Sequence, residues 1–160
     1  MISLVDSIEI QTTPGELFDW LDRLPQAYTS WHRDHVAYRV LRGSMLEVGS
    51  EVECEEYLHG KLHSMRLRTT KVVPEKRVEY AIRGMGRGAF EAQEEGDTTR
   101  FVAELEIGTD IPVIGRIFDL IFSRFFSQRI ECMKQHMAEE GQNLKSILES
   151  GSPGINKDTA

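Results

Sequence analysis

Two pairs of side chains in this sequence could do acid–base or metal chemistry. The first is His136 and Glu140, in a stretch whose apolar residues Ile130, Met133, Met137, Leu144, Ile147 and Leu148 fall on one side of a helix at about 100° per residue. Four residues apart, the imidazole and the carboxylate stack on one face, on the flank of that apolar stripe. Two readings fit such a pair. It is either an ion pair facing water or half of a metal site, because polar groups beside a buried stripe are costly unless something satisfies them.

The second pair, Glu56 and His63, emerges from hairpin register. In 50–58 the even residues Val52, Cys54, Glu56 and Leu58 form one set, and Glu51, Glu53 and Glu55 the other. After His59-Gly60 the odd residues His63, Met65, Leu67 and Thr69 oppose Leu62, Ser64, Arg66 and Arg68. A two-residue loop at His59-Gly60 pairs Leu58 with Lys61. The wet face then matches Glu53 with Arg66 and Glu51 with Arg68. The other face matches Val52 with Leu67, Cys54 with Met65, and Glu56 with His63, so Glu56 and His63 are expected to point at the core side by side. They form either a buried packing pair or part of a site. A carboxylate left inside without a cation costs several kcal/mol, roughly, so either reading demands a partner.

The elements that must position these groups follow from the same patterning. Ile2, Leu4, Ile8 and Ile10 read as a first strand with one buried face. Thr13-Pro14-Gly15-Glu16 fits a capping box with Pro in the first turn, launching a helix over 17–24 that Pro25 stops. Tyr28 to His35 reads as a short helix or loop, followed by strands over 36–41, 50–58, 61–69, 77–82, 88–93 and 99–107. The run Gly84-Met85-Gly86-Arg87-Gly88 reads as a bend or bulge rather than a phosphate loop. The closing helical stretch opens with a dense apolar run, 111–126, that suits a core helix, a cavity lid or a homodimer surface. Strands followed by a long helix give an α+β layout. Residues 1–150 form one domain, and the linker-like 151–160 is expected to be a disordered tail.

Composition narrows the partners. In 160 residues, 40% hydrophobic and 28% charged content is ordinary for a globular chain. A net charge of −7 argues against non-specific nucleic-acid binding and against an anionic membrane surface. No transmembrane segment is expected, because Arg116, Asp119 and Arg124 interrupt the richest apolar run. The N-terminus lacks the pattern of a signal peptide. Cys54 and Cys132 have no zinc-like spacing and read as buried free thiols of a cytoplasmic protein.

The first strand, the Thr-Pro-x-Glu helix start, a Trp in the next segment, a curved meander and a long closing helix together resemble the START-type, polyketide-cyclase-like (SRPBCC) superfamily. The resemblance implies a helix-grip fold: a curved antiparallel sheet of six or seven strands wrapped around a long C-terminal helix, with two short helices after strand 1. It also implies a cavity between sheet and helix for a small hydrophobic or aromatic molecule. Function varies widely on such a fold.

A narrower resemblance is to the zinc-dependent 2,4-diacetylphloroglucinol hydrolase group. Those enzymes take a His from a Trp-His-type segment, a strand Glu and a His-x-x-x-Glu pair. This sequence offers Trp31-His32-Arg33-Asp34-His35, Glu56, and His136-Met137-Ala138-Glu139-Glu140. The resemblance thus implies metal ligands His35, Glu56, His136 and Glu140, with His32 as the alternative to His35. Two imidazoles and two carboxylates suit zinc, and also manganese or iron. His63, and with it His32, would then be a catalytic orienter or proton shuttle. Metal-assisted hydrolysis of a carbon–carbon or acyl bond follows as the leading reaction class. The alternatives are a metal-free carrier or sensor, a cyclase-like enzyme working through Glu56 and His63, and a protein-interaction module built on the Phe-rich run. Trp20 and Trp31 are expected in the core, Asp34 in a local turn, and Glu139 toward solvent.

Overall fold

The computed structural model describes residues 2–108 and 127–150. Strand β1 (Ile2–Ile10) leads to helix α1 (Pro14–Asp22), whose start is the expected capping box. The Glu16 amide donates to Thr13 Oγ1 at 3.2 Å, and the Thr13 amide donates to Glu16 Oε2 at 3.1 Å. Pro25 does not stop the helical region. A second helix, α2 (Leu24–Trp31), begins with Pro25 in its first turn, where a missing N–H removes no intrahelical bond.

Seven strands follow one antiparallel path. They are β1, β2 (His35–Arg42), β3 (Glu51–Leu58), β4 (Lys61–Val73), β5 (Arg77–Ile82), β6 (Gly86–Glu95) and β7 (Thr98–Ile107), in the sheet order β1-β7-β6-β5-β4-β3-β2. α1 and α2 carry the chain from one edge of the curved sheet to the other, and helix α3 (Ser127–Ser150) packs against β1, β7 and α2. This is the helix-grip α+β architecture. Met137 and Leu144 on α3 are buried, and Ile130, Met133, Ile147 and Leu148 pack against the core, so the stripe faces inward as its spacing predicts.

The β3–β4 hairpin has the expected register throughout, from Leu58 opposite Lys61 to Glu51 opposite Arg68. Both loop residues, His59 (φ 54°) and Gly60 (φ 72°), are left-handed, as a tight turn matching strand twist requires. On the wet face Glu53 binds Arg39 and Arg66, and Arg77 ties Glu79, Glu91 and Glu104 across three neighbouring strands.

Two further details differ from expectation. β6 starts at Gly86 rather than Gly88 and runs to Glu95, with the glycines supporting a hairpin turn and two close approaches. Cys132 is exposed, unlike buried Cys54, because it lies roughly 120–140° around α3 from Leu144 and Met137. The apolar run 111–126 and the tail 151–160 lie outside the described residues, as do their expected roles as dimer surface and disordered tail. Among the described residues no helix is long and apolar enough to cross a membrane.

Gly88 sits opposite Tyr80 in the β5–β6 ladder, and a Cβ there would meet the Tyr80 ring at 2.5 Å. Gly88→Ala should therefore destabilise the protein by about 1–3 kcal/mol in chemical denaturation, through displacement of the buried Tyr80 ring.

Candidate metal centre

Three elements converge at one end of the sheet. α2 ends at Trp31, and a tight turn then delivers His35 as the first residue of β2, with the His35 amide donating to the His32 carbonyl at 3.1 Å. In the β2–β3 ladder His35 stands directly opposite Glu56. α3 is clamped to α2 by two bonds: Trp31 Nε1–H donates to the Glu140 carbonyl, and Asn143 Nδ2–H donates to the Trp31 carbonyl, each at 2.9 Å. That clamp sets His136 and Glu140 over the His35–Glu56 pair.

The resulting cluster has four facing donor atoms. His35 Nε2 lies 3.5 Å from Glu56 Oε2 and 3.0 Å from Glu140 Oε1. His136 Nε2 lies 3.8 Å from Glu56 Oε2 and 3.7 Å from Glu140 Oε1. Potential ligand atoms of all four residues lie within 4.8 Å of one another. Tetrahedral ligands about 2.1 Å from one ion would stand about 3.4 Å apart, close to these edges.

Both Nε2 atoms are buried. His136 Nε2 has no hydrogen-bond partner among the described residues, and His35 Nε2 has only Glu140 Oε1 at 3.0 Å, off the line of a good hydrogen bond. The His35 tautomer explains why this matters. Its Nδ1 lies 2.9 Å from the Tyr28 carbonyl, which only accepts, so the proton sits on Nδ1. In the neutral ring the Nε2 lone pair then faces two carboxylates, a repulsive arrangement unless a proton or a cation intervenes. The four residues fit a divalent ion.

Tyr28 orients two of the four. Its carbonyl fixes His35, its hydroxyl donates to Glu56 Oε2 at 3.0 Å, and its ring stacks on the His35 imidazole with centroids 4.0 Å apart. Nothing in the spacing of Tyr28 points to this role, because it depends on one residue binding through backbone and side chain at once. His32 is buried, but both its nitrogens are engaged. Nδ1 accepts the Asp34 amide at 3.1 Å, leaving Nε2–H to donate to Glu139 at 2.9 Å. Of the two histidines in the Trp segment, His35 therefore has the free donor atom. Glu139, expected to face only solvent, anchors His32. Asp34 makes its turn, yet its carboxylate also lies 3.8 Å from His32 Nδ1 and 4.0 Å from His136 Nδ1. His63 pairs with Glu56 in register but is only half-buried, does not line the adjoining cavity and is not part of the four-residue cluster.

Beside the cluster is a cavity of about 130 Å³ bounded by sheet, α2 and α3. Its wall is mainly apolar and aromatic, including Trp31, Phe90, Met133 and Met137, with Glu56, His136 and Glu140 on one side. An apolar cavity of about 150 Å³ holds one benzene ring, which sets the scale.

The electrostatics reflect crowding. Burial, and then repulsion from Glu140, push the Glu56 carboxyl up to about 7, although His35 and the Tyr28 hydroxyl pull the other way. Burial alone would lower His35, but the Glu140 carboxylate, the Tyr28 carbonyl and Glu56 more than offset it, leaving His35 raised. Burial and the neighbouring imidazoles of His32 and His35 lower His136, against the pull of Glu140.

No protein-family model matches the sequence, and no protein of curated function does. Solved structures do. TTHA0849 from Thermus thermophilus superposes with a TM-score of 0.70 at 14% identity, over 94% of this chain and 99% of that one. A START superfamily protein from Mycobacterium smegmatis gives 0.67 at 11% identity, over 92% and 97%. The chain has the START, polyketide-cyclase-like fold. A further START-fold match is the di-domain ARO/CYC BexL from the BE-7585A biosynthetic pathway, with a TM-score of 0.66 at 14% identity, over 92% of this chain and 50% of that one. Identities this low establish a shared START fold and nothing about chemistry.

The raised Glu56 pKa has a testable sign. Between about pH 4.5 and 7 the folded, metal-free protein holds a proton on Glu56 that the unfolded chain has lost, so stability falls as pH rises through that window. Raised His35 extends the fall above pH 6.5, while lowered His136 opposes it below. Chelator-treated protein should lose up to about 3 kcal/mol from Glu56 across this range in urea titrations. Glu56→Gln should flatten the slope and be the more stable protein at pH 8.

Proposed function

We propose that this protein binds a divalent ion, zinc ahead of manganese or iron, through His35, Glu56, His136 and Glu140, and acts as a metal-assisted hydrolase on a small hydrophobic or aromatic molecule held in the adjoining cavity. The observation that carries this reading is the pair of buried Nε2 atoms, neither in an aligned hydrogen bond, facing the carboxylates of buried Glu56 and half-buried Glu140 at distances close to a tetrahedral edge. Manganese or iron would accept the same donors. The cation would polarise a substrate carbonyl and acidify a water molecule, the chemistry needed for cleaving a carbon–carbon or acyl bond.

The chain's own residues supply the rest. Tyr28 fixes the tautomer of His35 and the rotamer of Glu56, so two donors are preorganised from one residue. The α2–α3 clamp holds His136 and Glu140 in place. The apolar wall accepts the hydrophobic part of the ligand and lowers the local dielectric around the polar end. Two unpaired cysteines fit a cytoplasmic setting.

A second reading has its own support. Without metal, Glu56 at about 7 is suited to general acid–base work in the same cavity, as in a cyclase-like enzyme. This version rests on Glu56 with Tyr28 rather than His63, which does not line the cavity.

Metal analysis of untagged protein separates the two. The hydrolase reading expects one zinc per chain, and a melting temperature that falls by about 5–10 °C on chelation and recovers with zinc. His136→Ala and Glu56→Ala should abolish both signals, and His63→Ala should leave the zinc content intact. Wild-type protein that holds no metal and gains no thermal stability from zinc overturns the proposal.

A further inference from the structure

A polar side chain of the cavity wall stands outside the metal cluster with its hydroxyl unpaired. The Tyr38 hydroxyl is buried and has no hydrogen-bond partner among the described residues. The side chain lines the cavity, with its ring 5.3 Å from that of Tyr28. A phenylalanine would fill nearly the same volume without burying an unsatisfied hydroxyl, so the oxygen is a burden on the free protein.

Backbone geometry puts the side chain on that wall. In a regular strand His35 and Tyr38, three residues apart, would point to opposite faces. β2 is irregular: His35 pairs with Glu56, Ala37 with Glu55 and Tyr38 with Cys54, so Val36 is an extra residue in a bulge. The bulge reverses the alternation. Val36 is thrown outward, 42% exposed, and Tyr38 returns to the face that carries His35 and Glu56.

We infer that Tyr38 is the specificity-determining residue of the cavity, donating a hydrogen bond to a neutral acceptor oxygen on a ligand of about one ring. The size follows from the cavity of about 130 Å³. The neutral acceptor follows from the mainly apolar and aromatic wall, in which an anionic group is costly to bury. The inference rests on the cavity being a ligand site, as proposed above, and not on the metal.

Cyclohexanone and methylenecyclohexane test it, since they share a shape and differ in one C=O for C=CH2. Each is titrated by NMR into the chelator-treated full chain, wild type and Tyr38→Phe. The expected result is about five- to tenfold weaker cyclohexanone binding in Tyr38→Phe, with methylenecyclohexane changed less than about twofold. The melting temperature of Tyr38→Phe should match or exceed that of the wild type. Equal effects on both probes, no effect on either, failure of both to bind the wild type, or a lower melting temperature would each overturn it. Because chelator is present, a chain that binds no zinc can pass this test, and one that binds zinc can fail it.

Discussion

The structure turns on the charge balance of a buried four-group cluster. Two carboxylates and two imidazoles meet where water solvates them poorly, His35 and Glu56 buried and His136 and Glu140 half-buried, and only a few protonation states are tolerable there. With both carboxylates ionised and both rings neutral, the cluster carries two uncompensated negative charges. Protonating His35 and Glu56 brings it to neutrality, and so does a divalent cation with every donor deprotonated. The raised His35 and Glu56 are the first solution, and the buried nitrogens facing the oxygens are the geometry of the second.

The rest of the fold supports that constraint. Ionic pairs on the wet face of the sheet, such as Arg77 with three glutamates, leave the inner face free for apolar side chains. Trp20 meets Trp31 edge-on at 5.0 Å, as core packing predicts. Trp31 then does more than pack, since its indole and carbonyl both bind α3. A residue chosen for bulk thus also sets the height of His136 and Glu140 over the sheet.

Much of this is legible in the sequence, because period and register are local signals. Hairpin parity decides the face of Glu56, and helical spacing decides the common face of His136 and Glu140. What parity misses comes from irregular backbone and long-range bonds. Pro25 reads as a stop, although a proline is equally at home in the first turn of a new helix. His63 has the right parity but lacks the depth to reach the cavity, and depth along a curved sheet is not a periodic property. Tyr28 is invisible because its part depends on a turn that brings its carbonyl back to His35. Tyr38 is invisible for the opposite reason: without the bulge at Val36, alternation assigns it to the wrong face.

That bulge connects the two halves of the cavity. Pairing His35 with Glu56 demands that the strand begin in one register, while the packed wall from Tyr38 onward demands another. A regular strand could satisfy only one of these, burying either an imidazole beside Glu56 or a tyrosine beside Cys54, but not both three residues apart. Placing the extra residue on an edge strand, where Val36 can face solvent, meets both demands with no central ladder broken. The irregularity is therefore where the sheet gives up ideal geometry so that a polar end and an aromatic wall can share one cavity.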